Sequence, residues 1–275
     1  MKRLIAVLTL VLMPVISNAS AIQWLPTYKQ AVTESQKTHH LMMVDFWATW
    51  CGWCKQLDAQ TYPNPTVQAE ARNFIPLKLN ADTNGAALAR RYGVQGLPTV
   101  LFLDSKGHLY GSIVGFRAAP QFTSAMKQAY SLYSSMPVMA EKFRQHPSDI
   151  ALGAKLVGLY SQEGRVSDAV LVYNALKHED PHNRSKKLTS ACIEVGQAYA
   201  EASKIETARN YFSQSLKMAG TPTERELGNL LVGTCDIVLH QKKAAIPYLK
   251  VASSIRGIPA VLHQRAAMLL KTINK

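Results

Sequence analysis

The 275-residue sequence has little of what marks several protein classes. Four cysteines are too few for a dense disulfide framework, so any cysteine chemistry must lie in particular residues and their spacing. Only 15 glycines and 13 prolines are present, and 47% hydrophobic against 18% charged residues excludes a disordered or collagen-like chain. No apolar run reaches the roughly 20 residues of a membrane-spanning helix. The histidines show no metal-ligand spacing, and no metal is expected. Acidic residues are scarce as well: 18 Asp and Glu against 31 Lys and Arg give a formal charge of +13. Residues 22–135 hold 10 basic and 6 acidic side chains and residues 136–275 hold 19 and 12, so the excess is spread over both halves. That is a solvated basic surface with weak attraction to anionic lipid or acidic partners, and no nucleic-acid partner is expected.

At the start, Lys2 and Arg3 precede an apolar run, Leu4 to Val15, and then the small residues Ser17, Ala19 and Ala21. This is the order of a secretory signal peptide. Cleavage after Ala19 or after Ala21 satisfies the small-residue rule equally well. The run of about 12 apolar residues, interrupted by Pro14, is short for an uncleaved anchor. A signal peptide over residues 1–19, or 1–21, and a periplasmic or otherwise exported location are the expectation.

From Trp24 to Ser134 short apolar strands alternate with helical stretches. Leu41 to Phe46, Phe74 to Leu79, Thr99 to Leu103 and Leu109 to Val114 are the predicted strands, and the turn Asp104-Ser105-Lys106-Gly107 joins the last two as a hairpin. Helices are predicted at Cys51 to Tyr62, Thr66 to Arg72, Gly85 to Tyr92 and Pro120 to Tyr133. The alternation predicts an α/β domain over residues 22–135, a mixed sheet with helices on both faces.

Beyond Met136 the strand signals stop. Ala169-x-x-x-Tyr173, Ala208-x-x-x-Phe212 and Ala244-x-x-x-Tyr248 recur, Tyr160 and Tyr199 each stand nine residues before their alanine, and Pro181 closes the first copy. In the third copy Cys235 takes the tyrosine's place. The pattern resembles the tetratricopeptide repeat, although the copies lie further apart than its usual period of about 34 residues, which requires an extended connection between His178 and Leu188. An all-α, TPR-like helical-repeat domain is predicted over residues 136–275. Its predicted surface lining includes Ser190, Ile193, Gln197, Glu226, Asn229 and Asp236, and Ile258, Val261, Leu262, Ala266, Leu269 and Leu270 form the face of a capping helix. Cys192 and Cys235, on separate repeats, read as buried small hydrophobes, with a structural disulfide between them as the alternative.

The strongest chemical signal is Trp50-Cys51-Gly52-Trp53-Cys54-Lys55, directly after the strand Val44-Asp45-Phe46. No second cysteine pair or nearby histidine pair completes a zinc site. A helix beginning at Cys51 would stabilise a thiolate there through its unpaired N–H groups. Cys54, one turn further in, lies within disulfide reach. Cys51 is therefore the expected exposed nucleophile and Cys54 the shielded resolving thiol. Asp45 stands in mid-strand, where an unpartnered carboxylate is costly; burial would raise its pKa and let it shuttle a proton. Trp50 and Trp53 either form an apolar rim for docking partners or pack partly against the sheet.

The run Val44 to Lys55, followed by Gly96-Leu97-Pro98-Thr99, resembles the thioredoxin superfamily over roughly residues 24 to 134. With Tyr62-Pro63-Asn64-Pro65-Thr66-Val67 and Val94-Gln95-Gly96 included, it is most similar to the carboxy-terminal domain of DsbD-type thiol:disulfide interchange proteins. Trp53 departs from the proline that thioredoxins carry there, and the residues between the cysteines tune the redox potential. The resemblance implies a thioredoxin fold, a cis Pro98 facing the cysteines, and Leu97 offering backbone hydrogen bonds to an extended substrate. It also makes Asp45 the proton shuttle of Cys54. Asp58 matches an acidic position of DsbD-like domains and either joins Asp45 near the thiols or is a plain exposed carboxylate. Lys78 either pairs with Asp45 or reaches solvent.

The expected function is an exported thiol-disulfide oxidoreductase with Cys51, Cys54, Asp45 and Pro98 as its catalytic set and Trp50, Gly52, Trp53, Lys55, Asp58, Lys78 and Leu97 in support. No dissociable cofactor is needed. Expected partners are protein thiols and disulfides, a membrane electron donor, and a protein held by the repeats. The reducing direction is favoured, with oxidase or isomerase activity as the reverse of the same chemistry. The alternative is a binding or assembly protein in which the repeats act and the thioredoxin fold is mainly a scaffold.

Overall fold

A computed structural model describes residues 21–254 and 260–273. The expected signal peptide and Ile258 of the capping face lie outside the described residues. Strand β1 (Leu41–Trp47) lies at the centre of a four-stranded sheet, parallel to β2 (Phe74–Asn80) and antiparallel to β3 (Thr99–Leu103), which pairs in turn with β4 (Leu109–Val114). The order β2-β1-β3-β4 is the mixed sheet that the strand pattern predicts. Asp104 shapes the β3–β4 hairpin by accepting from the N–H groups of Lys106 and His108 at 2.8 and 2.9 Å.

The first six residues of β1 are all buried, as befits a strand covered on both faces. Alternation sorts them. Leu41 and Met43 share a core with Leu57, with Val67 of α3 (Pro65–Ala71) and with Phe122 of α5 (Ala119–Gln145), while Met42, Val44 and Phe46 meet Ala31 of α1 (Tyr28–Thr38) and Ala89 of α4 (Ala86–Arg91). Asp45 therefore faces the α3 and α5 side. Helix α1 has no counterpart in the sequence reading, because its buried face amounts to Ala31 and Ser35, too slight to print an apolar period. The predicted helix at Cys51 to Tyr62 divides into α2 (Gly52–Gln56) and a π-helical turn, Leu57–Thr61.

Helix α5 runs on for 27 residues, through Pro137 and across the boundary placed at 135/136. Its buried side, from Phe122 to Phe143, joins the sheet's core to Leu156, Tyr160 and Leu176 of the following helices in one continuous apolar cluster. Those helices form hairpins: α6 (Ile150–Gln162) with α7 (Val166–Glu179), α8 (Leu188–Glu201) with α9 (Ile205–Met218), and α10 (Pro222–Val238) with α11 (Lys242–Ala252), closed by α12 (Ala260–Ile273).

Ala169 with Tyr173 and Ala208 with Phe212 are buried as the repeat predicts. The third copy differs by one residue: Ala245 and Leu249 are fully buried, whereas Ala244 and Tyr248 are half-buried. Close packing explains the shift. A Cβ on Gly196 would stand 2.5 Å from the Phe212 ring and one on Gly233 would stand 2.8 Å from Leu249, so each second helix presses its large residue onto a glycine of the first. In this register Asp236, not Cys235, takes the place of Tyr199, and it is buried against Arg209.

The predicted lining is corrected too. Ser190 and Gln197 are exposed and Asn229 is half-buried, but Ile193, Glu226 and Asp236 lie in the interior. Helix α12 packs Leu262, Ala266, Leu269 and Leu270 on α10 and α11, while Val261 is 72% exposed and leaves the predicted face. Cys192 and Cys235 are buried and unpaired.

Candidate active site

Cys51 and Cys54 form a disulfide at the start of α2. Cys51 caps this helix, and the Cys54 N–H donates to its Sγ at 3.1 Å, which favours a thiolate at that sulfur once the bond is reduced. The expected contrast in exposure is absent: both cysteines are 3% exposed, because in the oxidised pair the sulfurs turn toward each other under Trp47 and Leu97. Position in the helix, rather than accessibility, distinguishes them here.

Beside the pair, Trp50 and Trp53 are 69% and 60% exposed. The Trp50 indole donates to Asp82 at 2.8 Å, and the Trp53 ring lies 6.1 Å from that of Phe116. Both rings stand open to solvent rather than packed on the sheet, and Leu97 packs on the cysteines themselves. Gly52 and Lys55 are exposed on α2. The Leu97–Pro98 bond is cis and Pro98 is buried at the head of β3.

A charge cluster runs from the buried Asp45 of β1 to the exposed Asp58 of the π-helical turn. Asp45 is 1% exposed; Lys78, its register partner on β2, approaches it to 3.2 Å and also pairs with Asp58. Burial lifts the Asp45 carboxyl to about 6, against the pull of the Lys78 ammonium and of the nearby Tyr62 hydroxyl. Neither Asp45 Oδ1 nor the Tyr62 hydroxyl has a partner at full hydrogen-bonding distance. The Tyr62 phenol is itself pushed up by burial and then by Asp45. Trp24, Trp47 and Tyr62 surround the Lys78 ammonium with their rings at 5.4, 5.8 and 5.3 Å, desolvating the cation while favouring its charge.

The structure thus gathers Asp45, Asp58 and Lys78 into one cluster with Trp24, Trp47 and Tyr62, and sets Asp82 apart on Trp50; the sequence reading missed these last four. Two of these left a signal. Trp47 is two residues after Asp45 on the same strand face, and Tyr62 continues the four-residue steps Cys54, Asp58 along one helical face. Trp24 left none, because it arrives through a tertiary bridge between Leu25 and Leu77.

The family model for the thioredoxin-like domain matches residues 28–130. Thiol:disulfide interchange protein DsbD of Haemophilus influenzae (strain 86-028NP) is 35% identical over 100 residues, which are 34% of this chain and 17% of that protein. DsbD of Escherichia coli (strain K12) is 31% identical over 115 residues, 40% of this chain and 20% of that protein. The chain therefore spans about a fifth or less of the length of these curated relatives. Among solved structures, the oxidised DsbD c-terminal domain of Neisseria meningitidis is 26% identical with a TM-score of 0.33, covering 37% of this chain and 90% of that one. Residues 28–130, which carry the Cys51–Cys54 pair, match the thioredoxin-like domain and are similar to a part of DsbD, and an all-helical region follows them.

Proposed function

We propose that the chain is an exported thiol-disulfide oxidoreductase that reduces protein disulfides through Cys51 and Cys54. The observation that carries this reading is the helix-capping Cys51 bonded to Cys54, with a buried, incompletely partnered Asp45 on the strand that precedes that helix. The Cys51 thiolate attacks one sulfur of a substrate disulfide; that S–S bond breaks, and the other substrate sulfur leaves as a thiolate and takes a proton from water. Cys54 then gives its proton to the Asp45 carboxylate, and its thiolate attacks Cys51 Sγ, breaking the mixed disulfide and releasing the second substrate thiol. Two electrons pass from the cysteine pair to the substrate. A dithiol donor, reached through a membrane conduit, restores the pair, and no dissociable cofactor enters.

With a pKa of about 6, Asp45 is mostly ionised at neutral pH and able to accept that proton. Lys78 and Asp58 hold its charge in balance, the cis Pro98 and Leu97 border the pair, and Trp50 and Trp53 offer apolar contact to an incoming polypeptide. The basic leader-like start of the chain and its likeness to DsbD support a periplasmic setting, and the helical region is assigned the selection of protein partners.

The test is a redox titration of the cysteine pair together with insulin reduction. A potential below about −200 mV and turnover that disappears in Cys51→Ser are expected, whereas a value near −120 mV would mark an oxidase. Full turnover in Cys51→Ser would remove the assignment.

A further inference from the structure

The packing of α6 against α8 leaves a cavity of about 120 Å3 that opens to solvent, with Gly158, Ser161 and Glu194 in its wall and the exposed Gln162, Gln197 and Glu201 around its mouth. On each helix these positions recur at steps of three and four, so a single face of each supplies them. Ser161 is 5% exposed and its Oγ has no hydrogen-bond partner; Glu194 Oε2 is likewise buried and unpartnered. Neither Glu194 nor Glu201 forms an ion pair among the described residues.

Glycine at 158 is what makes the room. A Cβ there would stand 2.6 Å from Glu194 Oε2 and drive the carboxylate out of its place. Glu194 is half-buried, and leaving its enclosed Oε2 without a partner is unfavourable unless the carboxylate is neutralised or met by a cation. Burial alone pushes the Glu194 pKa up, with no neighbouring positive charge to oppose it. The lining contains two carboxylates, two carboxamides and a hydroxyl and no basic residue, in a chain whose formal charge is +13.

The missing complement is therefore a cation rich in donors. A metal ion is a poor match, since no group of three or more His, Cys, Asp or Glu able to hold one exists among the described residues. The volume is well below the roughly 300 Å3 at which small-molecule pockets begin. An alkylammonium carries three donors and no acceptor, which fits an acceptor set made of Glu194 Oε2, Ser161 Oγ and a Gln or Glu201 oxygen. We propose that this cavity between α6 and α8 is a receptor for a primary ammonium group, the head of a lysine side chain on a partner polypeptide or a free alkylamine. Nothing in it depends on the cysteine pair.

The test is amide NMR on the full-length protein with two probes, n-butylammonium chloride and an end-capped peptide with a single lysine. Sodium chloride at equal ionic strength and the same peptide with norleucine in place of lysine serve as controls. Shifts confined to residues 158–162 and 194–201 are expected, at a ligand concentration of about 10 mM, where a millimolar site is largely filled. Response to the peptide, alone or with the amine, identifies a polypeptide lysine as the occupant, and response to the amine alone identifies a free amine. Glu194→Gln keeps the shape and should weaken binding at least about 10-fold, the loss of one charged hydrogen bond. The exposed Glu206→Gln on α9 should leave binding unchanged. No shifts beyond the salt control, or equal weakening by both variants, would overturn the proposal.

Discussion

The sheet region and the helical region both bury carboxylates, and they treat them differently. In the sheet, Asp45 keeps Lys78 at 3.2 Å and three aromatic rings around that ammonium, so its pKa stops at about 6, within the range where proton transfer occurs. In the helices, Glu226 is fully buried with both oxygens unpartnered, and Asp236 is tied down by Arg209. Glu163 lies between the two regions. It is 4% exposed with Arg165 no closer than 4.0 Å, and burial lifts it to about 8. Asp45, the proton acceptor of the proposed mechanism, has a balancing cation beside it. The carboxylates that only fill helix packing are either locked in a pair or left to be neutralised.

The largest way to sharpen this contrast is at the cysteines. Cys51→Ser should abolish insulin reduction, while Cys54→Ser should accumulate mixed disulfides through Cys51 that non-reducing gels and mass spectrometry display. Neither change touches the helical packing, so circular dichroism at 222 nm should stay as in the parent.

Next comes the reverse experiment, a lesion confined to the helices. Phe212 is 2% exposed and presses on Gly196, so Phe212→Ala should remove about 3–5 kcal/mol. Denaturant unfolding should display that loss while the potential of the Cys51–Cys54 pair remains unchanged. A shifted potential would mean that the continuous core along α5 couples the two regions.

Asp45→Asn separates stability from function. The folded state holds the Asp45 proton more tightly than the unfolded chain, with a pKa of about 6 against 3.8. The stability it contributes is complete below about pH 4 and is lost as pH rises through 6, an amount of ~3 kcal/mol. The variant should therefore be more stable than the parent at pH 8 by up to that amount and equal to it near pH 4, as thermal unfolding at the two pH values would measure. Resolution of the mixed disulfide should slow by about 100-fold at pH 7 and lose its pH dependence around 6.

The smallest effect is expected at Tyr62. Its hydroxyl helps hold down the Asp45 pKa without closing a full hydrogen bond. Tyr62→Phe should raise the midpoint of the pH profile by a fraction of a unit, equivalent to about 1 kcal/mol or less. Turnover at pH 8 should not change, which distinguishes tuning of Asp45 from a loss of fold.

By itself the sequence determined the strands, the cysteine pair, the mid-strand aspartate and the period of the helical hairpins. These are local signals: alternation along a strand, spacing within one helical turn, and small residues at regular intervals. Lys78 and Asp58 were legible as candidate partners of Asp45 with an exposed alternative for each, and the β1–β2 register is what brings Lys78 beside Asp45. Tertiary structure alone decided three further matters. Trp24 reaches the Lys78 ammonium only because Leu25 bridges to Leu77. The third repeat slips by one residue because Leu249 seats on Gly233, a contact between helices that no spacing within one helix encodes. The two regions share one core because α5 continues past Pro137 and carries its apolar side from the sheet to α6, whereas the change in sequence texture near Met136 suggested a break. Composition changes where the neighbours change, and a helix long enough to serve both sets of neighbours leaves no mark of its own at the boundary.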